Sequence, residues 1–361
     1  MYKKAIEVLN KFHDNGYLAY IVGGYPRDTL LGIKTKDIDI CTNAKPIEIM
    51  KLFDTEKVTD IKYGSVKVIY KNYVFDVTTF RKDIKYEDNR KPVKIRYIDN
   101  LKNDLYRRDF TVNTICIDKD NNYVDLLNGI EDINNKIIKT VGNPRNKLKE
   151  DSLRILRAIR FATLLNFSID KDTEKYIIKY GYLVSKLSNS RKKEELDKIF
   201  SAVNKNLARE MLIKYGLDKQ LGINNLSDIV LCDDIIGIWS QLDLSIEYPF
   251  TKTEKEQMKK IKEMLELDIN NYSIYKYGLY TSNVVGSIKG ISYKKINDIY
   301  SGLVIHSLSD INIKAMDIAN VLRREPGNYL SEIFNDIEKR IVNNELENKY
   351  ECICEYIIEN Y

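Results

Sequence analysis

The hydrophobic pattern of this chain changes period near residue 148. Ahead of that point, short apolar runs alternate with a helical spacing. Ile6, Leu9 and Phe12 recur at three-residue intervals and predict a helix over residues 2–13, and LAYIV at 18–22 reads as a short buried strand. DIDIC at 37–41 predicts a second strand, while SVKVIY and YVFDVTTF, separated by Lys71-Asn72, predict a hairpin. His13-Asp14 stands directly before Asn15-Gly16, which reads as a helix C-terminus. Beyond residue 148 the stretches LKEDSLRILRAIRFATLLNF, RKKEELDKIFSAV, LAREMLIKYG, KEQMKKIKEMLE and LSEIFNDIEKRIV all place apolar residues three and four apart. The pattern predicts an α/β head of roughly 140 residues followed by an all-helical remainder, an α+β chain overall.

Composition narrows the chemistry. With 361 residues the chain is long enough for two or three domains. No apolar run approaches the roughly 20 residues that span a bilayer, and the start MYKKAIEVLN lacks a small-residue cleavage site, so a cytoplasmic protein is expected. Five scattered cysteines, Cys41, Cys116, Cys232, Cys352 and Cys354, fit reduced thiols and not a disulfide framework. Cys352 and Cys354 stand too alone for a zinc site, which normally takes four ligands. Only two histidines are present, His13 and His306, which excludes a His-based triad, a His-rich metal cluster and an HD phosphohydrolase module. The net charge of +5 permits a polyanionic partner without requiring one.

Candidate chemistry concentrates in IVGGYPRDTLLGIKTKDIDI, positions 21–40. Alternation along a strand sends Asp37 and Asp39 to one side and Ile38 and Ile40 to the other. Two carboxylates side by side repel, and a hard divalent cation such as Mg2+ relieves that repulsion; a bare D-x-D is otherwise a solvated edge strand. Gly23-Gly24 after a strand lets backbone N–H groups approach an anion, and Arg27 adds a charged fork suited to phosphate. A phosphate-holding turn beside a carboxylate pair is what two-metal phosphoryl or nucleotidyl transfer requires. Asp76, polar on the apolar strand YVFDVTTF, is either a third carboxylate of that cluster or an ion-pair partner of Arg81 or a nearby lysine.

Two later stretches are also unusually polar. DLYRRDFTVN, 104–113, sets Arg107, Arg108 and Asp109 against Phe110 and Val112. KEDSLRILRAIRFA, 149–162, reads as one amphipathic helix carrying Arg154, Arg157 and Arg160 at intervals of three, a pattern suited to anionic or planar ligands. On such a helix Asp151 and Arg154 share a face. One accepts and the other donates hydrogen bonds, so the two are either a reader of a base edge or an ordinary ion pair.

The ordered series GGYPRDTLLGIKTKDIDI, FDVTTFR, DLYRRDFTVN, NGIEDINNKIIKTVGNP and EDSLRILRAIRFA resembles the class II tRNA nucleotidyltransferases, the CCA-adding enzymes of the polymerase β superfamily. SNSRKKEEL, with Arg191 and Glu195, resembles a later motif of that family, and IANVLRREPGNYLSEIFNDIEKRIVNNEL resembles the tail of its bacterial members. The resemblance is dense over residues 20–200 and thin between about 215 and 310.

What the resemblance implies is specific. The chain would comprise a polymerase β-like head with a mixed sheet at 1–140, a helical neck for nucleobase recognition at 141–205, a helical body at 206–270 and a helical, tRNA-binding tail at 271–361. It would add CCA to the tRNA 3′ end from CTP and ATP without a nucleic acid template. Asp37 and Asp39 would hold Mg2+ as catalytic carboxylates, with Asp76 the candidate third carboxylate from the strand reading above, while Gly23, Gly24 and Arg27 would hold the triphosphate. Arg108 would contact the nucleotide with Asp109 supporting it. Asp151 and Arg154 would act as the template for the base, and Arg157 and Arg160 would complete the pocket.

Departures are mild: Pro26 in GGYPRD and Val112 and Thr114 in TVNT replace more usual residues. The segment RKDIKYEDNRKPVKIRYIDN keeps Asp88, Arg90 and Pro92 in a family-like arrangement, which favours complete CCA addition over a CC-adding relative. An A-adding enzyme and a poly(A) polymerase are further relatives; the latter usually carry basic extensions, whereas this chain ends in the acidic NELENKYECICEYIIENY. From other classes come a catalytically silent RNA-binding protein, which the Asp37/Asp39 pair opposes, and a nucleotidyltransferase acting on small molecules, which has no need of so long a helical remainder. Lysine-rich stretches such as KTEKEQMKKIK and SYKKIND are expected to meet RNA phosphates or to be ordinary solvated faces.

Overall fold

A computed structural model of the chain describes residues 1–35, 37–56, 63–86 and 92–361. Asp88 and Arg90 therefore lie outside the described residues. The chain forms two compact units, Met1–Ser227 with Leu244–Tyr248, and Asp228–Asp243 with Pro249–Tyr361.

The first unit begins with helix α1 (Tyr2–Asp14), whose Ala5, Val8, Leu9 and Phe12 are buried at the predicted spacing and which ends at Gly16 with φ +80°. Strand β1 (Ala19–Val22), helix α2 (Gly24–Leu30), strand β2 (Asp39–Thr42), helix α3 (Pro46–Leu52) and strands β3 (Asp54–Thr55), β4 (Ser65–Tyr70) and β5 (Tyr73–Thr79) follow. The β4–β5 hairpin turns through Lys71 and Asn72 at φ +47° and +67°, the two left-handed residues that a tight two-residue hairpin requires. Strands β6 (Arg81–Tyr86) and β7 (Pro92–Tyr97) make a separate antiparallel pair, followed by helix α4 (Leu101–Tyr106) and short strands β8 (Cys116–Ile117) and β9 (Tyr123–Val124).

The main sheet has the order β3-β4-β5-β2-β1-β8-β9, with β2 and β5 parallel and the remaining pairs antiparallel. It is the mixed sheet expected of the head. One face is sealed by α1 and α3: Leu9, Phe12 and Ile49 pack with Ile21, Ile40, Val66, Val68, Phe75 and Val77. The other face is apolar only in part, where Val22, Cys41 and Cys116 meet Phe80, Leu101 and Leu105. Alternation puts Asp39, two residues before Cys41, on this second face.

Helix α5 (Gly129–Asn134) and strand β10 (Ile137–Ile138), paired with β11 (Ser168–Ile169), lead into helices α6 (Pro144–Glu150), α7 (Leu153–Leu165), α8 (Lys171–Tyr180), α9 (Asn189–Phe200), α10 (Lys205–Lys214) and α11 (Leu217–Gln220). The stretch 149–162 is not one helix. Helix α6 stops at Glu150, Asp151 is extended at φ −144° and ψ 101°, and α7 begins two residues later. The Asp151 carboxylate accepts the Leu153 N–H at 3.1 Å, so its side chain replaces a backbone partner at the break.

The second unit is helical throughout its named elements: α12 (Ile235–Gln241), α13 (Lys252–Leu265), α14 (Asn271–Ile288), α15 (Tyr293–Ser301), α16 (Ala315–Leu322), α17 (Tyr329–Val342) and α18 (Tyr350–Asn360). Thr251 and Glu254 exchange the two hydrogen bonds of a capping box at the start of α13. Among the described residues no helix is long and apolar enough to cross a membrane.

Candidate active site

The open part of the sheet's second face is a cleft of about 490 Å³, lined among others by Asp39, Asp76, Arg81, Arg107 and Arg108. Its floor follows from strand register. Val22 pairs with Asp39, and Asp39 pairs with Asp76 across the parallel β2–β5 contact. Both carboxylates therefore project into the cleft from adjacent strands, while Ile38 and Ile40 are buried at 3% and 1% exposure. Asp37 lies just before β2 and stays exposed. Burial raises the Asp39 carboxyl above its ordinary range; Arg108 opposes this, and the charges of Asp76 and Asp37 add to it. Asp76 is not the partner of Arg81, which pairs instead with Asp83 at 3.3 Å and donates to the Tyr63 carbonyl.

Gly23 follows β1 and adopts φ +86°, a conformation that L side chains rarely take. A Cβ there would lie 3.4 Å from Asp39 Oδ2 and 3.8 Å from an Arg108 guanidinium nitrogen. Glycine, carboxylate and guanidinium thus meet at one edge of the cleft. Gly24 opens α2, and Pro26 sits in that helix's first turn, where the missing N–H removes no intrahelical bond. Arg27, the charged fork read from the sequence as suited to phosphate, is buried and already paired within the protein. It is 5% exposed, bonds the Asp28 carboxylate through Nε at 2.8 Å, and donates to the Asn113 side-chain oxygen at 2.6 Å.

Asn113 passes that bond onward, since its amide nitrogen donates to Asp109 Oδ1 at 3.1 Å. Asp109 Oδ1 also accepts the Phe110 N–H at 2.8 Å, and Oδ2 accepts Arg157 Nε at 2.7 Å. Burial works against the ionised Asp109, yet Arg157, Asn113 and the Phe110 N–H together hold its carboxyl well below the usual range. Arg160 pairs with buried Glu195 at 3.2 Å. The guanidinium carbons of Arg27, Arg157 and Arg160 lie 5.2, 5.4 and 4.6 Å from the centre of the Phe161 ring.

Arg154 is also buried, at 6% exposure. It donates to the Lys147 and Arg107 carbonyls at 2.9 and 3.1 Å and pairs with Glu150 at 3.3 Å, so it ties the end of α6 to the arginine pair on the cleft wall. The i,i+3 ion pair with Asp151 is replaced by that contact, because the helix break removes the shared helical face. Burial raises the Asp151 carboxyl; Arg154, the Leu153 N–H, Arg191 and Arg157 counter it.

Asp104 and Asn113 are the residues that sequence reasoning passed over. Asp104 is fully buried, accepts the Arg81 N–H at 3.0 Å and Arg107 Nε at 2.8 Å, and lies 3.5 Å from an Arg108 nitrogen. Its position three and four residues before paired arginines was the available signal. Asn113 carried none, because its partners are Arg27, 86 residues away, and Asp109.

Among the described residues no group of three or more His, Cys, Asp or Glu side chains is placed to hold a metal ion. Asp39 and Asp76 form an all-oxygen carboxylate pair on the cleft floor, and the charge of Asp37 adds to the negative charge accumulated there. Such a set suits a hard divalent cation that takes its remaining ligands from a triphosphate.

Residues 19–139 match a family model described as poly A polymerase head domain, 166–222 the RNA and SrmB-binding site of polymerase A, and 246–357 tRNA nucleotidyltransferase domain 2. A CCA-adding enzyme of Bacillus cereus is 30% identical over 99% of this chain and 98% of its own length, and that of Ligilactobacillus salivarius is 31% identical over 98% and 95%. The crystal structure of a Bacillus stearothermophilus CCA-adding enzyme in complex with CTP superposes with a TM-score of 0.87 at 26% identity, covering 99% of this chain and 97% of that one. A Thermotoga maritima CCA-adding enzyme complexed with tRNA shares the fold, with a TM-score of 0.70 at 18% identity over 98% and 94% of the two chains.

Proposed function

This chain belongs to the family of CCA-adding enzymes, which are tRNA nucleotidyltransferases, and from that membership we propose how its residues carry out the addition. The substrates are CTP, ATP and the tRNA 3′ end, joined without a nucleic acid template and with release of diphosphate. The observation that carries the reading is the row Gly23, Asp39 and Asp76, with Arg108 beside it. It puts an anion-tolerant turn and a guanidinium next to a carboxylate pair.

Gly23 and Gly24 give the triphosphate close access to the backbone, and Arg108 meets its charge or the ribose. Arg27 acts on the triphosphate end from a buried position, with its guanidinium oriented by Asp28 and Asn113. Asp37 and Asp39 would hold Mg2+, with Asp76 beside Asp39 as a further carboxylate. A cation held there would supply charge stabilisation for the deprotonated 3′-hydroxyl and the reacting phosphate. Asp109, Arg157 and Arg160 keep the wall between head and neck in one geometry.

Asp151 and Arg154 read the base. Cytosine and adenine each offer an amino donor beside an acceptor, which a carboxylate and a guanidinium can satisfy. Guanine and uracil present a carbonyl where that amino group belongs, and an unpaired acceptor facing Asp151 disfavours both. We assign 1–140 to the catalytic head, 141–205 to the neck, 206–270 to the body and 271–361 to a tRNA-binding tail.

The test is incorporation on tRNA transcripts that end before the CCA, after C and after CC, supplied with CTP, ATP or both and Mg2+. Growth by C, C and then A is the expected result. A stop at CC would make the chain a CC-adding relative, and no incorporation on any transcript would overturn the reading.

A further inference from the structure

The row of cleft residues does not end at Asp76. In the antiparallel β4–β5 pair, Asp76 stands opposite Lys67, so Val22, Asp39, Asp76 and Lys67 lie side by side on four adjacent strands. Paired residues point to the same face of a sheet. Lys67 therefore shares the cleft face, and its chain neighbours Val66 and Val68 are buried on the opposite one at 1% and 0% exposure. With strands about 4.8 Å apart, Lys67 is one strand beyond Asp76 and about 10 Å from Asp39, measured between backbones.

The cleft itself reaches β4, because Ser65 and Thr78 line it and their hydroxyls lie 3.3 Å apart. Lys67 is 57% exposed, and its carboxylate contact is Glu56 at 3.7 Å, itself 44% exposed. Exposed pairs of that length contribute little to stability and exchange readily for another anion.

In-line transfer fixes the direction from which a second substrate arrives. The leaving diphosphate lies at the Gly23 and Arg108 end of the row, so the attacking hydroxyl comes from the far side of the carboxylates, over β5 and β4. We infer that Lys67 is a phosphate-binding subsite for the RNA strand being extended, taking the first phosphodiester behind the attacking 3′-hydroxyl. The inference rests on the function proposed above.

The experiment compares wild-type protein with Lys67→Ala, Lys67→Arg and, as a control, Lys71→Ala in the hairpin turn. Affinity for a tRNA transcript lacking CCA is measured against salt concentration without nucleotide, and KM for tRNA and for CTP is measured separately. Lys67→Ala should raise KM for tRNA about fivefold and flatten the salt slope by about 0.7, the value for one single-strand phosphate contact. KM for CTP should not change, Lys67→Arg should restore both tRNA values, and Lys71→Ala should behave as wild type. An unchanged slope and tRNA KM would overturn the assignment. A loss in kcat with an unchanged slope would also overturn it, making Lys67 a partner of Asp76. Wild-type protein that binds the transcript but incorporates nothing would overturn the proposed function, while the slope would still decide Lys67.

Discussion

Asp109 Oδ2 receives both Nε and a terminal nitrogen of Arg157, at 2.7 and 2.5 Å, from a helix that begins more than forty residues further along the chain. Because Asp109 Oδ1 is taken by Asn113, which in turn holds Arg27, a line of hydrogen bonds runs from α2 through the 109–113 segment to α7. Asp109→Ala removes a buried carboxylate and leaves the half-buried Arg157 and the Asn113 amide without their acceptor, so it should destabilise the folded protein by about 1–3 kcal/mol. A urea titration checks this, and a midpoint equal to that of wild type would show that the network carries no stability.

The same pair predicts a pH dependence. The folded carboxyl of Asp109 titrates below its unfolded value, so the unfolded state takes up a proton first as pH falls. Its contribution is complete above the ordinary carboxylate range, near 4, and is lost as pH drops towards the folded value. The stability difference between wild type and Asp109→Asn should be constant from neutral pH down to about 5 and shrink below about 4. Urea midpoints across that range supply the measurement; a gap that widens in acid would reverse the assignment.

Asn113 gives a more selective test. Replacement by alanine strips Arg27 of one acceptor and Asp109 of one donor, leaving buried groups unsatisfied at about 1–3 kcal/mol. If Arg27 acts on the triphosphate from its held position, Asn113→Ala should raise KM for CTP and ATP together and leave KM for tRNA unchanged. Steady-state kinetics with each substrate varied in turn separates this from a general loss of folded protein, which would lower kcat alone.

The contrast between Asn113 and Asp39 shows what the sequence could convey. Asp39 belongs to a period-two pattern within five residues, and its partner strand is announced by a hairpin whose Lys71-Asn72 turn is itself legible. The α1 face, the head and the helical remainder were readable for the same reason, since each depends on local periodicity. Asn113 and the buried state of Arg27 depend on partners brought together by the fold, and no spacing encodes them, whereas Asp104 was legible only through its place three and four residues before Arg107 and Arg108. The break at Asp151 escaped for a different cause. Periodicity reports which face is apolar, and the apolar rhythm of 148–165 persists across two helices, whereas the break is made by one side chain bonding the Leu153 N–H.

Gly23 should be intolerant of a side chain for two reasons that one substitution combines. Alanine at φ +86° is strained by about 1–2 kcal/mol, and its Cβ would stand 3.4 Å from Asp39 Oδ2. The strain affects stability, while the contact intrudes where the phosphate approaches. Gly23→Ala should thus lose incorporation by more than its loss of stability accounts for. Measuring kcat/KM for CTP at a temperature where the variant is fully folded decides it, and wild-type activity under those conditions would remove Gly23 from the site.

Asp151 offers the sharpest separation between structure and selectivity, because it has two possible duties. One oxygen caps the start of α7 through the Leu153 N–H; the other is available to a base, and burial already raises the carboxyl. Asp151→Asn retains an oxygen for the cap but presents an amide to the base, whereas Asp151→Ala loses both. If Asp151 reads the amino group of cytosine and adenine, both variants should relax base choice, with incorporation of UTP and GTP rising relative to CTP and ATP. If it serves only the cap, Asp151→Asn should behave as wild type and Asp151→Ala should slow all four nucleotides equally. Competition assays with paired nucleotides on a transcript ending before CCA distinguish the two, since the ratio of products is independent of how much protein is active.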